Sequence, residues 1–90
     1  MKTAIRAKIT GKVQGVWFRK HTRDKATALG LTGIVRNEPD GSVYVEAEGS
    51  PGAIEAFKQW LHVGSPLAEV KEVNSETIAP KGYTSFEIVY

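Results

Sequence analysis

An α+β domain of two layers, an antiparallel sheet with two helices on one face, is predicted by three features of this sequence. Stretches of period-two apolar alternation and stretches of helical apolar spacing follow one another as strand, helix, strand, strand, helix, strand, with one more short strand at the end. A P-D-G reversal at 39–41 joins strands two and three into a hairpin. The third feature is size: 90 residues without a cysteine bury only about 60–65% of the surface of the unfolded chain, so a patterned core has to hold the fold in place of disulfides. No repeat, linker or low-complexity run interrupts the chain, and residues 1–90 read as one domain.

Each element has a local reason. Over 4–11, Ile5, Ala7 and Ile9 alternate with Arg6, Lys8 and Thr10, the pattern of a strand with one covered face. A helix is predicted over 20–29 from Thr22, Ala26 and Leu29, with Gly30 where a left-handed C-terminal cap is wanted. Residues 31–37 form the second strand and 42–48 the third, with Val43, Val45 and Ala47 inward and Tyr44, Glu46 and Glu48 outward. Ser50 and Pro51 supply a hydroxyl N-cap and a proline at the first helical position. Ile54, Phe57, Trp60 and Leu61 then give an apolar stripe, and Gly64, Ser65 and Pro66 end it. The run 68–78 is extended, but its alternation slips between Val70 and Val73, which predicts a bulge or a twist. Phe86, Ile88 and Tyr90 make the last strand. This order folds as a split βαβ, or ferredoxin-like, βαββαβ sandwich.

That topology has a consequence for function. A crossover helix leaves strands one and two parallel, so their C-terminal ends share one rim of the sheet. Strand one ends in Gly11-Lys12-Val13-Gln14-Gly15-Val16-Trp17-Phe18-Arg19, and strand two ends in Asn37. Two glycines four apart free the main chain to turn its N–H groups inward, and Arg19 stands where the helix begins; loop amides, a helix N-terminus and a guanidinium describe an anion cradle. The same stretch also reads as a glycine-rich connection with a surface arginine.

Charge and composition bound the chemistry. The net charge is +2, but residues 1–25 hold eight basic side chains against Asp24 alone, whereas the remainder holds four basic and nine acidic ones. The positive part contains the loop, a field that suits a small anion and also nucleic acid. The absence of cysteine excludes a thiolate nucleophile, and His21 and His62 lack ligand-like spacing, so no built-in metal site is expected. No signal peptide or membrane span is seen, and a cytoplasmic location is expected. The rim offers the amides of Gln14, Gly15, Val16, Trp17 and Phe18, the Arg19 guanidinium and the Asn37 amide, with no strong nucleophile and no general acid. Phosphoryl transfer needs mainly positioning and charge stabilisation. Without an acid or metal to assist departure, the leaving group has to be a carboxylate, which points to acyl phosphates. Asn37 has the groups to fix an attacking water.

The run G-K-V-Q-G-V-W-F-R at 11–19, followed by Gly33-Ile34-Val35-Arg36-Asn37, Gly41-Ser42-Val43 and Gly49, strongly resembles the two signatures of the acylphosphatase family. The resemblance spans essentially the full chain. It implies cofactor-independent hydrolysis of acyl phosphates to a carboxylate and inorganic phosphate, with the substrate-binding arginine at Arg19 and the water-orienting asparagine at Asn37. The family usually has an aromatic residue where this chain has Ile34, which alternates away from Asn37, so altered packing rather than lost activity is expected. Trp17 fits the entrance for the acyl group or a part-exposed loop aromatic, and His21 fits a solvated position in the first helical turn. A nucleic-acid-binding module of the same strand order is disfavoured, since strand three shows one aromatic, Tyr44, among acids. The other alternative is a non-catalytic anion sensor, or an accessory domain of the hydrogenase-maturation carbamoyltransferase kind, which would bring zinc-finger cysteines that this chain lacks. The expected partner is a small acyl phosphate, with no nucleic acid and no membrane, and a monomer by default.

Overall fold

A computed structural model describes residues 2–90. Its elements are β1 (Thr3–Lys12), α1 (Phe18–Ala28), β2 (Thr32–Asn37), β3 (Val43–Gly49), α2 (Pro51–Leu61), β4 (Glu69–Ile78) and β5 (Phe86–Ile88). The sheet order is β4-β1-β3-β2-β5. The first four strands pair antiparallel, as the predicted ferredoxin-like fold requires, and β5 joins β2 in parallel, with Ile88 beside Val35. The parallel strands β1, β2 and β5 therefore all end at one rim.

Apolar alternation decides which face carries the helices. Ile5, Ala7 and Ile9 of β1, Val35 of β2 and Val43, Val45 and Ala47 of β3 are buried against Phe18 and Ala26 of α1 and Ile54, Phe57 and Leu61 of α2. Aromatic contacts bind these layers: Phe18 lies 5.9 Å from Trp60, Trp60 stacks on Phe57 at 6.3 Å, and Phe57 meets Phe86 edge-on at 6.1 Å. The predicted caps form as well. Ser50 Oγ accepts from the Ala53 amide at 3.3 Å, and Gly30, at φ 74°, ends α1 while Leu31 N–H donates to Ala26 O at 2.9 Å. The slip in β4 is a bulge: Thr10 faces Glu72 and Gly11 faces Val70, leaving Lys71 as the extra residue.

Two expectations need correction. α1 begins at Phe18 rather than at residue 20, because Trp17 takes the left-handed conformation (φ 63°, ψ 19°) and turns the chain directly into the helix. Arg19 is thus in the first turn rather than ahead of it. Glu46 and Glu48 do face away from the helices, yet they are only 5% and 1% exposed. The connection between β4 and β5 passes over them and supplies partners. Glu48 accepts from the amides of Lys81, Gly82 (3.1 Å) and Tyr83 (3.2 Å) and pairs with Lys2 at 3.4 Å. Glu46 accepts from the hydroxyls of Tyr44 (2.6 Å) and Tyr83 (2.7 Å) and pairs with Lys81 at 2.9 Å. Burial works to raise both carboxyls' pKa values, but these donors together outweigh it and hold both below the ordinary range. Tyr44 and Tyr83, desolvated and bonded to the same carboxylate, are pushed up to about 12.

Candidate active site

At the shared rim lies a cavity of about 350 Å³ lined by side chains from all three parallel strand ends and from α1. Gly15 and Trp17 come from the connection after β1, Phe18 and Arg19 from the first turn of α1, Asn37 from the end of β2, and Ile88 and Tyr90 from β5 and the residues after it. Arg19 and Asn37, eighteen positions apart in the chain, thus face one space. Gln14, Val16 and His21 do not line it.

The loop is held open by backbone conformation. Gly15 (φ 74°) and Trp17 are both left-handed, and Trp17 is the only non-glycine residue with positive φ among the described residues. Glycine takes this region freely, whereas an aromatic residue takes it under strain. Trp17 is the N-cap of α1 but offers no capping side chain, and no acid stands in the first turn. Among the described residues, no main-chain amide from Gly15 to Lys20 donates to a protein acceptor. A run of unpaired donors at the positive end of a helix dipole favours an anion.

The cations of this region are not equivalent. Lys20 pairs with Asp24 at 3.0 Å and Arg23 with the same carboxylate at 3.5 Å. Among the described residues no carboxylate pairs with Arg19, whose guanidinium instead lies over the Tyr90 ring, 5.0 Å from its centre. The charge of Arg19 therefore remains available at the cavity. Asn37 lines the same cavity, and its Oδ1 is buried without a hydrogen-bond partner, a costly state for an amide oxygen.

Two supports were not legible in the sequence. Gln14 directs its side-chain amide away from the cavity and donates to the carbonyls of Glu38 and Ser42, each at 2.9 Å, pinning the loop to the β2–β3 turn. The Val16 side chain enters the core while its carbonyl accepts from Ser65 Oγ at 2.7 Å. Behind the loop, Gly64 at φ 75° leaves room for the Phe18 ring, which would stand 2.7 Å from a Cβ there. The G-S-P run at 64–66, read as a helix stop, also shapes the loop. Among the described residues no group of three or more His, Cys, Asp or Glu is placed to hold a metal ion, and no helix is long and apolar enough to cross a membrane.

Known proteins are similar to this chain in sequence and fold. The family model described as Acylphosphatase matches residues 5–88. An acylphosphatase from Nitrosococcus oceani is 47% identical over 88 residues, covering 98% of this chain and 99% of its own length. The structure of an acylphosphatase from Coxiella burnetii matches with a TM-score of 0.95 at 41% identity, over 98% of this chain and 93% of that one. The crystal structure of the Bacillus subtilis acylphosphatase also gives 0.95, at 34% identity and with both chains fully covered.

Proposed function

This chain belongs to the acylphosphatase family, hydrolases of acyl phosphates, and we propose that it binds the phosphoryl group on the 14–19 loop amides and Arg19 and orients the attacking water with Asn37. The observation that carries the assignment is that Asn37, whose Oδ1 is buried without a hydrogen-bond partner, lines the same cavity as Arg19. An acceptor in that position takes a hydrogen bond from water and turns a lone pair of the water oxygen toward phosphorus.

The arrangement accounts for the reaction without further groups. The water oxygen forms a bond to phosphorus as the bond from phosphorus to the bridging oxygen breaks, and the carboxylate departs with that electron pair. Both protons of the water end on the phosphate product. Negative charge on the three equatorial oxygens faces amide donors and a guanidinium already in place, so little reorganisation accompanies the transition state. Because a carboxylate leaves without protonation, the rim needs no acid. We read the reaction as independent of metal and cofactor.

The cavity beside Arg19 is flanked by Trp17, Ile88 and Tyr90, surfaces suited to the acyl portion of the substrate. Nucleic acid is a poor fit, because the outer face of β3 is occupied by Glu46 and Glu48 under the 79–85 segment. A small, cytoplasmic, monomeric enzyme is the simplest reading. The test is hydrolysis of benzoyl phosphate with EDTA present: turnover unaffected by the chelator is expected, and no turnover above the spontaneous rate would contradict the reading.

A further inference from the structure

We propose that Ser65 is a positioning residue for the phosphate loop, whose hydroxyl locks the Val16–Trp17 peptide with its N–H turned to the cavity. The inference rests on the assignment of the loop amides as phosphate donors. Ser65 is 2% exposed, lies 49 positions from Val16, and donates to the Val16 carbonyl at 2.7 Å. In a trans peptide the N–H points opposite to the C=O. The Val16 carbonyl is fixed behind the loop, so the Trp17 N–H is directed forward, on the side where Trp17 lines the cavity.

Trp17 makes this bond consequential. Its φ of 63° is the unfavourable left-handed conformation for an aromatic residue. A flip of the Val16–Trp17 peptide rotates the ψ of Val16 and the φ of Trp17 by half a turn in opposite senses, bringing Trp17 to a φ of roughly −120° with its ψ still at 19°, near the bridge region that residue i+2 of a type I turn occupies. The flipped loop takes Trp17 out of the left-handed region to a negative φ that side chains adopt more readily, but it presents a carbonyl oxygen to the cavity where the working loop presents a donor. A phosphoryl oxygen cannot bind there. Loop strain and anion binding pull in opposite directions, and the Ser65 hydrogen bond tips the balance toward the binding form. Its neighbour assists, since Gly64 lets the Phe18 ring, and with it the start of α1, sit close behind the loop.

The test is a double-mutant cycle read by the competitive inhibition constant of inorganic phosphate, with thermal denaturation as a check of folding. Ser65→Ala is expected to weaken phosphate inhibition about tenfold, equivalent to about 1.4 kcal/mol, and to raise KM in parallel. In a Trp17→Gly background the same substitution is expected to weaken it less than about threefold, because glycine holds the positive φ without strain. A purely structural serine would lower the thermal midpoint by similar amounts in both backgrounds and show no such rescue. Equal weakening in both backgrounds overturns the proposal, as does wild-type phosphate inhibition in Ser65→Ala while Arg19→Ala loses it. If Arg19→Ala itself retains wild-type phosphate inhibition, the underlying site assignment falls and this inference with it. Should Ser65→Ala not fold, Ser65→Thr and Ser65→Val, alike in shape and different in the hydroxyl, make the same comparison.

Discussion

The side-chain amide of Gln14 donates to the carbonyl of Glu38 at 2.9 Å, tying the loop after β1 to the residue that follows Asn37. Its second bond, to Ser42 O, closes the tie across the β2–β3 turn. The two halves of the proposed site thus share a direct mechanical link. Gln14→Ala removes this donor from two carbonyls that each keep a backbone partner, and is expected to destabilise the fold by about 0.5–1.5 kcal/mol per lost bond. Because small misplacements of reacting groups are costly, kcat/KM should fall at least roughly tenfold. Thermal denaturation together with benzoyl phosphate kinetics checks both effects. Wild-type kinetics in a destabilised protein would show that the tie serves stability alone.

Glu46 and Glu48 make stability depend on acid. Both carboxyls are held below their ordinary range by their donors, against the opposing effect of burial. Their contribution is therefore complete above the unfolded carboxylate pKa of about 4.3 and is lost as pH falls through the lower folded values. Glu48→Gln exchanges a charged acceptor for a neutral one facing three amides, so it should lower the thermal midpoint at pH 7. It should also reduce the loss of stability between about pH 5 and pH 3. An acid limb identical to that of the wild type would place the responsible groups elsewhere.

Phe18 joins the loop to the core, with its ring fully buried between Trp60 and Gly64. Phe18→Ala is expected to cost about 3–5 kcal/mol. Gly64→Ala is expected to be destabilising for two reasons, its φ of 75° and the 2.7 Å approach of the Phe18 ring to the added Cβ. Urea denaturation measures both. Gly64→Ala should also raise KM, since displacement of Phe18 moves the first turn that carries Arg19.

Ile34 pairs with Glu46 on the face of β2 opposite the helices, out of line with Val35 and Asn37. Ile34→Tyr, which introduces the aromatic residue usual in the family, should leave kcat within about twofold of the wild type and act only through stability. A large change in kcat would show that this face of β2 communicates with the cavity.

Much of the fold was legible because its signals are local. The alternation of Ile5, Ala7 and Ile9, the Ser50-Pro51 helix start, Gly30 and the P-D-G turn each act within a few residues, and the slip between Val70 and Val73 marked the Lys71 bulge for the same reason. The shared rim of Arg19 and Asn37 also followed, since it depends only on the sense of a crossover. What escaped is non-local. Alternation places Glu46 and Glu48 outward but says nothing of the distant 79–85 segment that covers them. No compositional sign marks Trp17 as left-handed, so the start of α1 was set two residues late. Gln14 and Ser65 reach carbonyls 24 or more positions away, contacts that leave no periodic trace.

The division of labour between Arg19 and Asn37 is the central claim, and comparing Asn37→Ala with Arg19→Ala on benzoyl phosphate tests it most directly. The account predicts that Arg19→Ala loses both rate and inhibition by inorganic phosphate, whereas Asn37→Ala loses kcat by at least about a hundredfold, on the order of removing one electrostatic donor from a preorganised site, and keeps a near-wild-type phosphate inhibition constant. Equal loss of phosphate binding in Asn37→Ala would contradict it.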